Sequence, residues 1–201
     1  MDLYVVYTCD ADLIDRDPDA LAAKSAVAVP GRYDCYQPSA FAKSSGLART
    51  VRDELDFVLQ ARSWRRGEMS PAQPSRDAMV SSVAQRWQLD PWLDHDVDHL
   101  SGGWEKLLGL ALFTEMQSDI KLYADSTRQL SDRLIAVFLS NLKSLHVARA
   151  AVFWELDVSR LGNLSETVIL YDLKDHVSRT KWVLGPQCDV GGDRNFAHGN
   201  L

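Results

Sequence analysis

Short runs of β-branched and aromatic residues alternate along the chain with longer stretches in which apolar residues recur at helical spacing. The short runs predict β-strands, and they lie at residues 3–8, 32–37, 119–125, 150–157 and 166–173, with a further candidate at 180–184. Strands that alternate with helices are typical of βαβ units and a mainly parallel sheet. The pattern therefore predicts an α/β fold.

The longer stretches predict amphipathic helices. Residues 50–64 show the pattern most clearly, because one helix face collects the apolar side chains Val51, Leu55, Val58 and Leu59. Three further helices are predicted from capping residues and periodicity. The first starts from a cap at Ser75. The second runs from the glycine pair at 102–103 to about residue 117, and the third runs from a cap at Ser131 to about residue 145.

Composition and charge restrict the partners. The chain has 201 residues, of which 46% are hydrophobic and 25% charged, as in an ordinary globular domain. A net charge of −6 disfavours nucleic acid, which requires concentrated lysine and arginine. The cysteines Cys9, Cys35 and Cys188 form no C-x-x-C motif and suit a reducing compartment. With no leader and no apolar stretch of about 20 residues, we expect a cytoplasmic protein that does not insert into a membrane.

Residues 100–104 read LSGGW and precede the apolar run EKLLGLALF. Two adjacent glycines cost backbone entropy in a helix, so the presence of glycine at both positions requires a specific explanation. LSGGW resembles LSGGQ, the signature motif of ATP-binding cassette (ABC) ATPases.

The segments around LSGGW follow the order of that family. Gln37 follows a predicted strand, as in the Q-loop, and TVRDEL at residues 50–55 resembles the segment that opens the family's helical subdomain. RWQLDPWLDHDVDHL at residues 86–100 resembles the approach to the signature, and DIKLYADST at residues 119–127 stands where the Walker B strand is expected. The resemblance covers about residues 30–175.

The resemblance implies an ABC-ATPase-like architecture. It consists of a mainly parallel sheet flanked by helices, with a helical signature subdomain and a reduced N-terminal cassette. It divides the chain into a core lobe at residues 1–48 and 118–184, a helical subdomain at residues 49–117 that ends in the signature helix, and a flexible tail at residues 185–201.

Several positions depart from the family pattern. Ala124 stands at the Walker B aspartate, Asp125 at the catalytic glutamate, Ser131 at the end of the D-loop, and Leu156 at the switch histidine. Such a set would hold magnesium poorly and position water badly. The resemblance thus leaves this chain without an intact catalytic residue.

A phosphate loop requires G-x-x-x-x-G-K-[ST], since glycines let backbone N–H groups converge on the phosphates. The candidate pair Lys24-Ser25 follows Ala23, and Pro18 stands at the first glycine position. We interpret the pair as a coincidence or a decayed remnant, and in either case not as a working phosphate loop.

In the family, ATP lies between one domain's phosphate loop and the other domain's signature. The resemblance therefore implies a degenerate subunit that contributes nucleotide-binding residues in trans, namely Ser101, Gly102, Gly103 and Trp104. Trp104 itself favours packing at a domain interface over stacking on adenine. ATP and Mg²⁺ would bind only through the site of an intact ABC partner. A membrane permease is a further candidate partner, which would place the chain at the inner face of the membrane.

Other interpretations remain open. A pseudo-ATPase scaffold would bind no nucleotide, and a soluble ABC protein of translation, repair or iron–sulfur assembly would have no permease. An unrelated α/β enzyme lacks support, since the sequence has no G-x-S-x-G, H-E-x-x-H or G-x-G-x-x-G motif. His95 and His99 have the i, i+4 spacing of metal ligands on a helix, but a polar connector suits this run better than a metal site.

Overall fold

The computed structural model describes residues 2–7, 18–26, 29–36, 49–65, 67, 72–144, 148–161, 168–173 and 176–180. The strands are β1 Asp2–Tyr7, β2 Tyr33–Tyr36, β3 Ile120–Ala124, β4 Ala150–Glu155, β5 Val168–Leu173 and β6 His176–Thr180. The α-helices are α1 Pro18–Ala26, α2 Val51–Arg65, α3 Gln73–Arg86, α4 Gly102–Glu115 and α5 Asp132–Ser144. Short 3-10 helices lie at Asp90–Trp92, Val97–His99 and Val158–Leu161.

The strands form one sheet in the order β2-β3-β4-β1-β5-β6. The pairings from β2 to β5 are parallel, and β6 is antiparallel to β5 at the edge. The prediction of a mainly parallel sheet is therefore confirmed. Although β1 comes first in the chain, it lies between β4 and β5. The chain must therefore pass β4 and β3 on its way from β1 to β2, and it must pass β1 on its way from β4 to β5.

Helices cover both faces of the sheet. On one face, Leu21 of α1 packs with Leu122, Val152 and Trp154. On the other face, Tyr123 of β3 stacks on Phe153 of β4, with ring centroids 5.0 Å apart, and both belong to the larger core that α2 to α5 share. Alternate residues of β3 and β4 serve opposite faces, as the two-residue period of a strand requires. The result is a three-layer α/β/α structure.

The segment between β2 and β3 is helical in its described part. Its helices bury Trp87 and Leu89 completely. Backbone bonds from Val51 to the carbonyl of His95, at 3.2 Å, and from Arg52 to that of Leu93, at 2.9 Å, attach the polar turn before α4 to the start of α2. The N-termini of α2 and α4 are thereby held in one compact unit.

Three local predictions differ from the structure. Helix α1 was not expected, and Lys24-Ser25 lies in its last turns. Helix α3 begins at Gln73 with Ala72 as its N-cap, three residues before the predicted cap at Ser75, because Pro74 has a backbone angle suited to the first helical turn. The last strand, β6, ends at Thr180, whereas the predicted strand began there; residues 181–184 lie outside the described residues.

In the described part of the chain, every helix is too short or too polar to cross a lipid bilayer.

Candidate functional site

The carboxyl edge of the sheet is the first candidate site. From β1 the chain continues towards one edge of the sheet, to β2. From β4, which lies beside β1, it continues towards the opposite edge, to β5. Open α/β sheets hold ligands at such a switch point, outside the carboxyl ends of the strands. The structure brings Ala124 and Asp125, at the end of β3, to the same edge as Leu156, at the end of β4.

The two Walker B positions at this edge have different surroundings. Ala124 is fully buried in the cluster that contains Trp154. Asp125 donates its backbone N–H to the carbonyl of Trp154 at 2.8 Å, and its carboxylate lies 3.3 Å from the guanidinium of Arg128. Its φ of 47° is in the left-handed region, which aspartate tolerates better than most residues. The Asp125 carboxylate is thus committed to an ion pair within the chain.

Glu155, at the end of β4, is a buried carboxyl group that sequence reasoning missed. Its Oε1 accepts hydrogen bonds from the N–H of Ser126 at 2.9 Å, the hydroxyl of Ser126 at 2.6 Å and the N–H of Thr127 at 3.3 Å. Its Oε2 accepts the hydroxyl of Thr127 at 2.9 Å. The one signal in the sequence was an acidic residue that ends the apolar strand AAVFWE.

The protonation of Glu155 follows from its burial. The residue is 1% exposed, and burial raises its pKa to about 7, against the opposing effect of its bonds to Ser126 and Thr127. Loss of hydration disfavours the charged form, while donors to the carboxylate favour it. With a pKa of about 7, the protonated and ionised forms of Glu155 are close in free energy near neutral pH.

Two cations hold the carbonyls of the loop after β3. The ammonium of Lys106 donates to the carbonyls of Asp125 at 2.7 Å and Arg128 at 2.6 Å. The guanidinium of Arg160 donates to the carbonyl of Thr127 at 2.8 Å and to that of Leu130. Lys106 is buried, and this burial lowers its pKa. We refer to residues 125–131 as the clamped loop.

The remaining residues that the resemblance compared with catalytic positions, and the Lys24-Ser25 pair, have local roles. Leu156 is half-buried and packs against the cluster on the α1 side of the sheet. The hydroxyl of Ser131 accepts the N–H of Leu134 at 3.4 Å, as expected of the residue that caps α5. Ser25 is buried and accepts the indole N–H of Trp154 at 2.8 Å. Lys24-Ser25 therefore lies near the end of a helix, whereas a phosphate loop precedes one.

The N-terminus of α4 is the second candidate site. Ser101 is its N-cap, is exposed and makes no side-chain capping bond. Among the described residues, a Cβ placed on Gly102 would meet nothing within 4 Å, whereas one on Gly103 would lie 3.3 Å from Cδ1 of Leu134 and 3.6 Å from the carbonyl of Gln129. The two glycines therefore differ, because packing within the chain accounts for Gly103 but leaves Gly102 unexplained.

Trp104 is directed into the protein. Its ring packs against Trp92, with centroids 5.7 Å apart, and Trp92 in turn contacts His95 at 5.3 Å. Trp104 is partly buried against the main core. The Trp104 ring therefore packs within the chain.

The histidine pair does not form a helical metal site. His95 and His99 are exposed, and only His99 belongs to the 3-10 helix Val97–His99. Asp96, between them, forms an ion pair with Arg49 at 3.0 Å. Within the described residues, His, Cys, Asp and Glu side chains form no group that could hold a metal ion. Gln37, the Q-loop candidate, lies outside the described residues.

The two candidate sites differ in what they can bind. Mg²⁺ prefers several oxygen ligands in octahedral geometry, but the carboxyl edge offers the methyl group of Ala124, the alkyl group of Leu156, and carboxyl groups already bonded to Arg128, Ser126 and Thr127. These side chains do not fit Mg²⁺ with ATP. The N-terminus of α4 has backbone N–H groups that find no partner within the helix, together with the positive end of a helix dipole, and both favour an anion.

The fold is similar to solved structures of ABC transporters. A protein assigned as a metal-chelate type ABC transporter, in an inward-facing conformation, matches with a TM-score of 0.60 and 14% identity over 90% of this chain and 72% of its own. CbiO1 from Clostridium perfringens, part of the ABC transporter complex CbiONQ, matches with a TM-score of 0.60 and 10% identity over 88% of this chain and 75% of its own. No protein-family model and no curated protein sequence matches the chain. The chain therefore shares the fold of these two ABC transporter structures.

Proposed function

We propose that this chain is a catalytically degenerate ABC-type ATPase subunit that pairs with an intact ABC partner. It presents Ser101, Gly102 and Gly103 to a nucleotide held by the partner's phosphate loop. Hydrolysis of that nucleotide energises transport or another conformational machine.

The open space at Gly102 carries the proposal. An exposed helix N-terminus without a side chain at its first residue lets a phosphate approach the backbone N–H groups closely. In the part of the chain that the structure describes, no packing neighbour lies within 4 Å of a Cβ at Gly102, so packing does not require a glycine there, although glycine costs stability in a helix. Close approach of a ligand from outside the chain would account for the glycine at position 102.

The sequence of the connection between β1 and α1 supports the part of the proposal in which this chain is catalytically degenerate. In P-loop ATPases, this strand-to-helix connection holds the phosphates with glycines and a lysine. Residues 8–17 read TCDADLIDRD, with neither glycine nor lysine and with four aspartates. Aspartates repel phosphate, so we propose that ATP and Mg²⁺ reach this chain only through a partner's site.

The partners follow from the same geometry. An intact ABC ATPase must supply the phosphate loop, the magnesium ligands and the catalytic base that this chain replaces with Ala124, Asp125 and Leu156. The fold of transporter ATPase subunits favours a membrane permease as an additional partner. We place the complex at the cytoplasmic face of the membrane.

The proposal is tested by purifying the tagged chain with its partners from its native cell and assaying ATPase activity. Ser101→Arg and Gly102→Asp fill the space at the start of α4 and should abolish turnover by the assembly. Ser81→Arg, on an exposed position of α3, is the matched control and should leave turnover unchanged.

Two results would overturn the proposal. An ATPase complex that is indifferent to Ser101→Arg would leave the chain as a pseudo-ATPase scaffold. Purification with a ribosome, a repair complex or an iron–sulfur assembly, and without a permease, would assign it to the soluble ABC proteins and remove the transport role.

A further inference from the structure

The clamped loop is held from three elements at once. Lys106 comes from α4, Glu155 from the end of β4, and Arg160 from the 3-10 helix that follows. Together their side chains bond the carbonyls of residues 125, 127, 128 and 130 and the N–H groups of residues 126 and 127. Hydrogen bonds from these side chains thus take the place of the backbone hydrogen bonds that a helix or a strand would provide.

The same loop touches the start of α4. The carbonyl of Gln129 lies 3.6 Å from the Cβ position of Gly103, one turn before Lys106. Leu134, three residues beyond the loop, approaches the same position at 3.3 Å. The first turn of α4 therefore rests on the clamped loop, and the buried ammonium of Lys106 is the polar tie between them.

We propose that Lys106 is a positioning residue that couples the N-terminus of α4 to the carboxyl edge of the sheet. Its ammonium ties α4 to the clamped loop, and Glu155 fixes the other side of that loop through Ser126 and Thr127. The placement of Ser101 and Gly102 thus depends on contacts at the end of β4. The consequence for ATP turnover rests on the proposed function, whereas the coupling is a property of this chain alone.

The charges around the loop favour such a coupling. The Lys106 ammonium interacts electrostatically with Asp125 and Arg128 of the loop, with Glu155 at the end of β4 and with Arg160 of the 3-10 helix. Asp125 also acts on the Glu155 carboxyl. Asp132, at the start of α5, faces Arg160 at 3.7 Å. Removing the ammonium takes away the donor that the carbonyls of Asp125 and Arg128 share and alters the charge balance at Glu155. A change at either residue therefore reaches the other through the loop.

Amide hydrogen exchange on the purified chain measures this coupling without a partner. The reporters are the amides of residues 102–105 and 126–131, and the amides of α3 serve as an internal reference for global unfolding. Lys106→Met keeps the apolar stem but removes the donors, and Lys106→Gln restores one of them. Glu105→Gln, in the same turn, is the matched control.

We expect Lys106→Met to accelerate exchange at both reporter segments by about tenfold or more, with α3 unchanged. Lys106→Gln should restore part of the protection, and Glu105→Gln should resemble the wild type. Glu155→Gln should remove the pH dependence of exchange at residues 102–105 between pH 6 and 8, after correction for intrinsic rates.

Faster exchange at residues 126–131 alone would overturn the coupling, since α4 would then be held independently. Equal acceleration in α3 would also overturn it, because Lys106 would then serve global stability. If exchange shows the coupling while Ser101→Arg leaves ATPase activity intact, the proposed function fails and the positioning role within the chain stands.

Discussion

Ser126 donates both its backbone N–H and its hydroxyl to the same oxygen of Glu155, at 2.9 and 2.6 Å. The two residues lie at the ends of adjacent parallel strands, β3 and β4. One buried carboxyl group therefore orients the chain just as it leaves β3. In the family that LSGGW resembles, this is where the Walker B strand ends, so the contact fixes backbone at a position otherwise used for catalysis.

Glu155→Gln should alter the pH dependence of stability. The folded pKa of Glu155 is about 7 against an ordinary value of 4.5, so the folded state holds more protons than the unfolded state between these values. The wild type should therefore lose stability as pH rises from about 4.5 to about 7, by at most about 3 kcal/mol. Glutamine does not titrate, and the variant should lack this decline.

Urea unfolding at pH 5 and pH 8 measures the difference. Glu115→Gln is the control, because it alters another buried glutamate and leaves Glu155 in place. The same decline in the wild type and in Glu155→Gln would show that Glu155 does not titrate in this range.

Ala124→Asp should destabilise the chain without creating a magnesium site. The Ala124 side chain is fully buried beside Trp154, and an unpaired carboxyl group there costs about 3 kcal/mol or more. Urea unfolding measures the loss, and calorimetric titration with Mg²⁺ and ATP tests binding. Ala136→Asp, on an exposed position of α5, should cost less than about 1 kcal/mol. A stable Ala124→Asp variant that binds Mg²⁺ with ATP would contradict our interpretation of the carboxyl edge.

Gly102→Ala should separate stability from function. Open space around Gly102 accommodates a methyl group, so the free energy of unfolding should stay within about 1 kcal/mol of the wild type. The methyl group should still hinder a phosphate at the helix start, and turnover by the purified complex should fall at least roughly tenfold.

Gly103→Ala is the comparison for that variant. Its Cβ at 3.3 Å from Leu134 requires the neighbouring side chain to move, so it should lower stability as well as turnover. Full activity in Gly102→Ala would count against a nucleotide at this edge.

Glu115→Ala should be among the most destabilising substitutions in the helical segment. The Glu115 carboxylate is 1% exposed, lies 2.7 Å from Arg86 and accepts the indole N–H of Trp87 at 2.9 Å. Its removal leaves a buried indole N–H and a partly buried guanidinium without their partner, at a cost of about 3 to 5 kcal/mol.

Urea unfolding of Glu115→Ala and Glu115→Gln provides the test. Glutamine keeps an acceptor for Trp87 and should recover about 1 kcal/mol or more. Asp98→Ala, at an exposed position, is the neutral control. Equal losses for alanine and glutamine would show that packing, and not the polar contacts, makes Glu115 important.

Local signals in the sequence predicted most of the elements but missed α1. The periodicity in residues 50–64 corresponds to α2, Val51–Arg65, and the run at residues 119–125 corresponds to β3, Ile120–Ala124. Helix α1 combines Pro18 and Asp19 at its start with only one long aliphatic residue, Leu21. Leu21 packs against one face of the sheet. This contact stabilises the helix, and no pattern in the local sequence indicates it.

The strand and helix periodicities and the LSGGW motif can be recognised in the sequence, because each depends on residues a few positions apart. Contacts between distant residues depend on the folded chain. It placed Glu155 against Ser126, 29 residues away, and Trp154 against Ser25, 129 residues away. It also gave the two adjacent glycines different surroundings, since the clamped loop and α5 lie over Gly103 and leave Gly102 open. Such contacts arise only when the parallel sheet brings separate strand ends to one edge.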